Sequence, residues 1–324
     1  MKEALEQVAA SVPVATLHAP QDELSEPRVA RPPERVVAPA AQSSKPMAAG
    51  GSRLQAWTAS AAGLVIATVL LWAIAPELIA PYAPTQMDGS AILLAPSSRH
   101  WLGTDQFGRD VGSLVVYGAR QSVLMAIFAV LISCSCGVAL GLVAGYTGGA
   151  CDMLLMRAVD VWMAIPNILL AIAICTALDP SLHTTILAVS VTAIPRYARV
   201  LRAQVMAIRA RPFILAARAS GASHASILRR HVLPHCSSTI LVLATLGVGS
   251  AILLGSSLSF LGLGINDERP DWGYLLTQGR GYLTVAWWTV TFPGLAITLL
   301  VIAVNTLGDA LRRRLEPRGA AGTR

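Results

Sequence analysis

Six apolar runs divide this chain, separated by polar loops of very different length. They cover about residues 57–79, 122–144, 159–178, 182–205, 238–261 and 286–307. Each approaches or reaches the ~20 residues that an α-helix needs to cross a ~30 Å hydrocarbon layer. The pattern predicts an all-α membrane protein with six spans inside a domain of residues 56–315. Little more than Asp179 and Pro180 separates the third run from the fourth, but a turn of about two to five residues is enough to join an antiparallel helix pair. Glycine and proline recur inside the runs, among them Gly137, Gly141, Pro166, Pro195, Gly247 and Pro293. Soluble helix interiors seldom tolerate so many, so these residues predict kinked, closely packed membrane helices.

Composition agrees. Of 324 residues, 54% are hydrophobic and only 13% charged, against about 25% charged in an ordinary soluble domain. The formal net charge is +7, but aromatic residues are few and do not interleave with the arginines, which argues against a nucleic-acid partner. The positive-inside bias explains the charge more simply. Eight arginines and no acidic residue fall within 194–234, and Arg312, Arg313, Arg314 and Arg318 follow the last run. The loops at 82–120 and 265–282 mix both signs. Both termini and the arginine-rich loop are therefore expected in the cytoplasm, with the mixed loops outside. Residues 1–55 carry six basic and six acidic side chains and no apolar run. They read as a disordered cytoplasmic tail without a secretory leader, and residues 316–324 as a short second tail. The five cysteines form no CxxC pair and read as packing residues or free thiols.

Three stretches carry candidate chemistry. The loop at 209–235 contains RPFILAARASGASHASILRRHVLP. In it Ile214, Ala217, Gly221 and Ala225 fall on or near one helical stripe, Gly221 permits a sharp turn, and Pro234 suits the first turn of the next helix. Docking on a cytoplasmic partner and anchoring at anionic lipid are equally open from these residues alone. The outer loop contains HWLGTDQFGRDV, where Gly103 and Gly108 provide turns and Asp105, Arg109 and Asp110 can pair or cap a helix. Asp160 is expected to pair near the membrane interface with Arg157, while Arg196, Arg199 and Arg202 share a face at the inner end of the fourth run. His231 and His235 have helical spacing, but Pro234 interrupts it and no ligand set completes a metal site.

Nothing in the sequence supports catalysis. A Walker sequence, an HExxH and a GxSxG elbow are all missing. Ser256, Ser257 and Ser259 lack a histidine or lysine partner in an adjacent run and read as packing hydroxyls. A free-standing channel or secondary transporter is the rival class. It would show midplane charges or inverted halves, neither of which is evident.

The order of short motifs over residues 63–314 resembles the binding-protein-dependent ABC importer permeases, in the dipeptide/oligopeptide/nickel branch and on its C-type subunit. Those motifs are HWLGTDQFGRDV, YGAR, AGYTGG, PRYARVLRAQV, AARASG followed by ILRRHVLPH, LSFLGLG, DWG, FPGLAI and NTLGDALRR. The resemblance implies the six-span type I importer fold, and it implies alternating access driven from outside the chain. ATP and Mg2+ would be bound by two partner ATPase subunits, with no cofactor or metal in this chain. A coupling helix would seat on those ATPases through Ala216, Ala217, Arg218, Gly221 and Ala222, and through Arg229, Arg230, Leu233 and Pro234. An extracytoplasmic solute-binding protein would meet Gly103, Thr104, Asp105, Gly108, Arg109 and Asp110, although a structural latch between the first two spans is the competing role for that loop. Asp160, Pro166, Gly255, Ser259 and Asn305 would serve the pathway or its packing. The resemblance also implies a homologous B-type permease as heterodimer partner, surrounding membrane lipid, the bacterial inner membrane as location, and a dipeptide or oligopeptide substrate. Nickel or metal chelates, glutathione and haem are the alternative cargoes. Three residues depart from the family pattern: Leu215 replaces the usual glutamate of the loop, Gly255 a frequent acidic residue, and His235 a common asparagine.

Overall fold

A computed structural model describes residues 50–264 and 271–315, with side chains from Trp57 onward. Of the tails expected at 1–55 and 316–324, residues 1–49 and 316–324 lie outside the described residues, while residues 50–55 are helical and not part of a disordered tail. Helix α1 spans Gly50–Ile74 and so begins seven residues before the first apolar run. Helix α2 is Val111–Thr147, α3 is Gly149–Ala164 and α4 is Asn167–Ala177. Helix α5 is Leu182–Arg209. Two short cytoplasmic pieces follow, α6 at Pro212–Ala219 and α7 at His224–Ile227, and a π turn at Leu228–Val232 leads into α8, Leu233–Phe260. Helices α9, Trp272–Gly279, and α10, Trp288–Leu315, complete the bundle. Among the described residues there is no strand, only an isolated bridge between Thr104 and Asp110.

Among the described residues, four stretches are long and apolar enough to cross a membrane: Trp57–Ile74, Val111–Thr147, His224–Phe260 and Trp288–Leu315. The expected continuous span at 159–178 is a correction. It is two helices, α3 and α4, bent by 84°. Proline disfavours helical backbone in the residue before it, and Ile165 is accordingly extended at φ −84°, ψ 125°. Counted as one span, the bent pair is a fifth. Helix α5 has 28 residues, enough length to cross. Its second half carries Arg196, Arg199, Arg202 and Arg209, so composition alone does not mark it as a span.

Helices α2 and α5 make the most extensive contact in the bundle. Gly137, Gly141 and Gly145 lie one helical turn apart on the α2 face that meets α5. A Cβ on Gly141 would lie 2.6 Å from the Ala198 carbonyl oxygen and 2.7 Å from the Leu201 Cβ, and one on Gly145 would lie 2.8 Å from the Arg202 carbonyl oxygen. A Cβ on Gly137 would strike the Tyr197 Cβ. The two backbones touch because α2 has no side chains there, as in other small-residue membrane interfaces. Below this contact a separate apolar cluster joins Leu201, Val205 and Ile208 of α5 to Ile214, Ile227 and Val232 of the cytoplasmic pieces. Large apolar side chains point outward on the spanning helices, including Leu64 (70% exposed), Leu71, Leu131 and Ile302, as lipid-facing helices require. All five cysteines are free thiols.

Gly141→Ala should destabilise the folded chain by about 1–3 kcal/mol through overpacking against fixed backbone. Gly63→Ala, whose new methyl would meet nothing within 4 Å, should not. Thermal melts of both variants in the same detergent check this, and equal melting temperatures would refute the glycine contact.

Candidate functional site

The cytoplasmic loop is a helix, a left-handed turn and a second helix. Pro212 opens α6 at its first turn, where a missing N–H costs nothing. Gly221 closes it at φ +80°, while the Ala222 amide donates to the Ala217 carbonyl at 3.1 Å and the Gly221 amide to the Arg218 carbonyl at 3.0 Å. This is a Schellman ending, and its left-handed residue favours glycine. Ser223 then caps α7 by accepting from the Ser226 amide. The stripe expected through Gly221 and Ala225 is corrected here. Both residues are exposed, because the left-handed turn interrupts the helical period. Ile214, fully buried, continues inward instead through Ala217 and Ala222 to Ile227 and Val232.

The outward face of the loop is apolar. Leu215 is 56% exposed and Phe213 36%, with Ala216, Ala219 and Gly221 also exposed. Arg229, Arg230 and Pro234 are exposed beside the partly exposed Leu233. Arg218 turns the other way. Its guanidinium lies 5.3 Å from the centre of the Tyr146 ring, and the Tyr146 hydroxyl bonds His224 Nδ1 at 2.9 Å. Arg218 therefore ties the loop to the end of α2. Pro234 sits in the first turn of α8 and does not interrupt the histidine spacing. His235 Nδ1 donates to the His231 carbonyl at 2.6 Å and its ring stacks on Phe213 at 5.1 Å.

The outer motif folds inward on itself. Asp110 caps α2 by accepting from the Ser113 amide at 2.8 Å, and its second oxygen lies 3.0 Å from His100 Nδ1. Asp105 pairs with Arg109 at 2.7 Å and accepts the Phe107 and Arg109 amides at 2.9 Å each. Arg109 Nη2 also donates to Gln278 of α9 at 2.7 Å, and the Trp288 indole donates to the Thr104 carbonyl at 3.0 Å. Positive φ angles of 78° at Gly103 and 69° at Gly108 shape the turn. The loop's long-range bonds thus reach α9 and α10 as well as α2. Thr104, Asp105, Arg109 and Asp110 are all buried, whereas Trp101 (82%) and Phe107 (44%) face outward.

At the inner side the arginine row of α5 meets α3. Arg199 pairs with Asp160 at 2.7 Å, not Arg157 with Asp160, and Arg202 holds Asp152 through two bonds, one at 2.6 Å. Helices α3 and α5 lie side by side, so the partners come from across the bundle. Asp152 escaped sequence reasoning because nothing local links it to a residue 50 positions away. Arg196 forms no ion pair with any described residue. It lies midway along α5, which continues to Arg209, and its side chain is exposed.

Residues 137–320 match the family model described as the binding-protein-dependent transport system inner membrane component. The chain belongs to that family. It is 42% identical over 255 residues to the dipeptide transport system permease protein DppC of Alkalihalophilus pseudofirmus, covering 79% of this chain and 84% of that one. It is also 42% identical over 261 residues to the glutathione transport system permease protein GsiD of Escherichia coli, covering 80% of this chain and 86% of the relative. The inward-facing MetNI methionine ABC transporter shares the fold at a TM-score of 0.52 and 19% identity, over 62% of this chain and 95% of its own. The molecule is thus a multi-pass inner-membrane permease subunit of an ABC importer.

Of the remaining candidate residues of this permease, Gly255 and Ser259 are buried, whereas Pro166 and Asn305 are exposed. Pro166 stands at the α3–α4 break. Gly255 is buried in α8, where a Cβ would collide with the end of the Met125 side chain, so an acidic side chain there would have to displace Met125. Asn305 of α10 fits against Gly249 of α8, its Oδ1 2.8 Å from where a Cβ would stand. Ser259 donates to Asp271 at 2.6 Å. Asp271 caps α9 through the Tyr274 amide at 2.7 Å, and the neighbouring Trp272 indole donates to the Val115 carbonyl at 2.8 Å. Burial pushes the Asp271 carboxyl above the usual aspartate range, against the opposing pull of the Ser259 hydroxyl and the Tyr274 and Gly273 amides.

Because the native state holds this proton more tightly than the unfolded chain, the stability it contributes is full below the ordinary aspartate pKa of about 4. It declines as pH rises through the shifted value. Asp271→Asn should flatten that slope. Melting temperatures of wild type and variant between about pH 4 and 7 should converge toward the acid end. Parallel curves would remove the titration from Asp271.

Proposed function

We propose that this permease translocates short peptides inward by alternating access, as one half of a heterodimer with a homologous B-type permease. Both termini and the α6–α7 loop face the cytoplasm, and the bent pair α3–α4 together with α5 completes six spans. Two ATPase subunits, which bind ATP and Mg2+, dock on the loop, and an extracytoplasmic solute-binding protein delivers cargo to the outer side. One observation carries the substrate reading: permeases similar to this one over about four-fifths of the chain are named for dipeptide, di/tripeptide, D,D-dipeptide and glutathione transport, all short peptides. Glutathione is thus one candidate within the class. Nickel or other metal chelates and haem stand outside it.

The geometry supports this division of labour. The loop offers a partner an apolar seat at Phe213 and Leu215, rimmed by Arg229 and Arg230, while its inner side is anchored to α2 and α5. Leu215, replacing the usual glutamate, makes that seat a packing surface in place of an ionic contact. At the outer side Trp101 and Phe107 are the exposed residues through which the binding protein meets the buried turn of Asp105, Arg109 and Asp110. ATP-bound closure of the ATPase pair moves the seats, the bundles reorient, and hydrolysis resets them.

In proteoliposomes holding the complete complex, uptake of a peptide panel should require both ATP and the binding protein. ATP-dependent uptake of nickel chelates without peptide uptake would overturn the substrate, and uptake without the ATPase subunits would favour the rival class of channel or secondary transporter. Gly221→Trp should abolish ATP-driven uptake by straining the left-handed turn and filling the seat, while the protein still inserts in the membrane. Normal uptake by this variant would sink the docking role of the loop.

A further inference from the structure

The segment that leaves α1 passes the start of α2 without closing over it. Tyr82 holds it there, its amide donating to the Ser113 hydroxyl at 3.3 Å and its own hydroxyl to the Arg99 carbonyl at 3.3 Å. Between this segment, residues 99–102 and α2 lies an open groove of about 480 Å³. Trp72, Ile79, Val115 and Val116 give it an apolar lining, and Arg99 is its one cation.

The place of the groove relative to the membrane follows from α1. The apolar part of that helix, Trp57–Ile74, has 18 residues, ~27 Å at about 1.5 Å per residue. A ~30 Å hydrocarbon layer uses all of it, so the two ends lie at the two boundaries. Trp72 stands in the last turn, and Leu70, Leu71 and Ile74 around it are exposed. The groove is therefore at a membrane boundary, next to a turn open to lipid. This boundary is the one away from the cytoplasmic loop, because α2 starts at the groove and ends near Tyr146, which bonds His224 of that loop. Trp72, Tyr82 and Trp101 are also the residue types that gather at such boundaries.

The cation has no partner of its own. No carboxylate among the described residues is within ion-pair distance of Arg99. Its charge acts on Asp88, but that carboxylate is bonded to Ser90. Asp110 also lines the groove, yet it is buried, with one oxygen on His100 and the other on Ser113. The Trp72 indole N–H likewise makes no hydrogen bond among the described residues. An apolar groove at a membrane boundary, beside an uncommitted guanidinium, matches a phospholipid. An acyl chain covers the apolar lining, and arginine grips phosphate oxygens through paired N–H groups. A partner helix fits less well: at 10–12 Å across and 5.4 Å per turn, about one turn of it would fill the space.

We infer that this groove holds one phospholipid, with its phosphate on Arg99 and an acyl chain along Trp72, Val115 and Val116. Such a lipid braces the outer motif from the side, since Leu102 and Asp110, the cap of α2, line the same space. Trp101 is common to the groove and to the exposed outer surface. The inference needs the chain to span a membrane and does not rest on the choice of cargo.

The test uses the complete complex in detergent, titrated with phosphatidylglycerol carrying a diazirine in one acyl chain. Diacylglycerol with the same chains, lacking the phosphate, is the comparison probe. After photolysis, mass mapping should find the phosphatidylglycerol label concentrated within residues 72–82 and 111–116. Arg99→Gln should raise the half-saturating concentration about tenfold or more, the weight of a charge-assisted hydrogen bond, and Arg99→Lys should raise it less. Arg99 is exposed, so the melting temperature without lipid should not change in either variant. Ile79→Trp, which fills the groove, should lower labelling with Arg99 intact. Equal labelling by the two probes, or an Arg99→Gln titration within about twofold of wild type, would overturn the site. Label spread evenly over the lipid-facing helices would do the same. So would label found on the isolated subunit but absent from the complete complex, which would give the groove to the partner permease. Peptide uptake is not the readout, so a complex that carries another cargo leaves this inference standing.

Discussion

The contact of two helix backbones, made possible by Gly137, Gly141 and Gly145, governs where the other parts of this permease can lie. In lipid no hydrophobic force pulls apolar helices together, so association depends on close packing and on polar bonds between them. The glycine column lets α2 approach Ile194, Ala198 and Arg202 of α5 at backbone distance. That approach sets the register of α5. With the register set, Arg199 and Arg202 face Asp160 and Asp152 of α3, Tyr197 crosses toward Gly247 of α8, and Arg196 opens onto the space between them. A one-residue shift would turn the arginine row by about 100° and undo all these relations together.

The two ends of the bundle solve opposite problems. On the outer side charges are drawn inward: Asp105 pairs with Arg109, Asp110 bonds His100, and both carboxylates accept surrounding amides, leaving aromatic side chains at the surface. A buried charge requires such complete pairing, since desolvation is otherwise prohibitive. On the inner side the arrangement is reversed, with apolar Leu215 and Phe213 outside and the anchoring cation Arg218 folded back on Tyr146. The outer loop is thus closed through its own polar groups, whereas the inner one keeps an incomplete apolar face.

Much of this was legible from residue order. Apolar length announces the spans, the i,i+4 spacing of Asp105 and Arg109 announces their pair, and Gly221 announces a turn that only glycine adopts readily. The bend at Pro166 was harder to read, because apolar residues continue on both sides and hide an 84° change of direction. Helical periodicity misled at Ala225 because the left-handed residue before it resets the phase. Pairs joined only by the bundle, such as Arg202 with Asp152 or Arg109 with Gln278 across 169 residues, leave no local trace. Asp160 was matched with the nearest arginine in sequence for the same reason. Motif order identified the family, but only the fold separated the unpaired arginine of α5 from its two neutralised neighbours.

The small apolar cluster beneath the bundle has a mechanical meaning. Ile214, Ile227 and Val232 are packed against Leu201, Val205 and Ile208 with almost no exposed surface, and protein interiors of this density yield little under load. The inner elbow is therefore not a tether hanging from two helices but the short arm of a lever whose long arm is α5. A displacement imposed on Leu215 has little slack to take up before it becomes a tilt of α5, with the glycine column as its fulcrum.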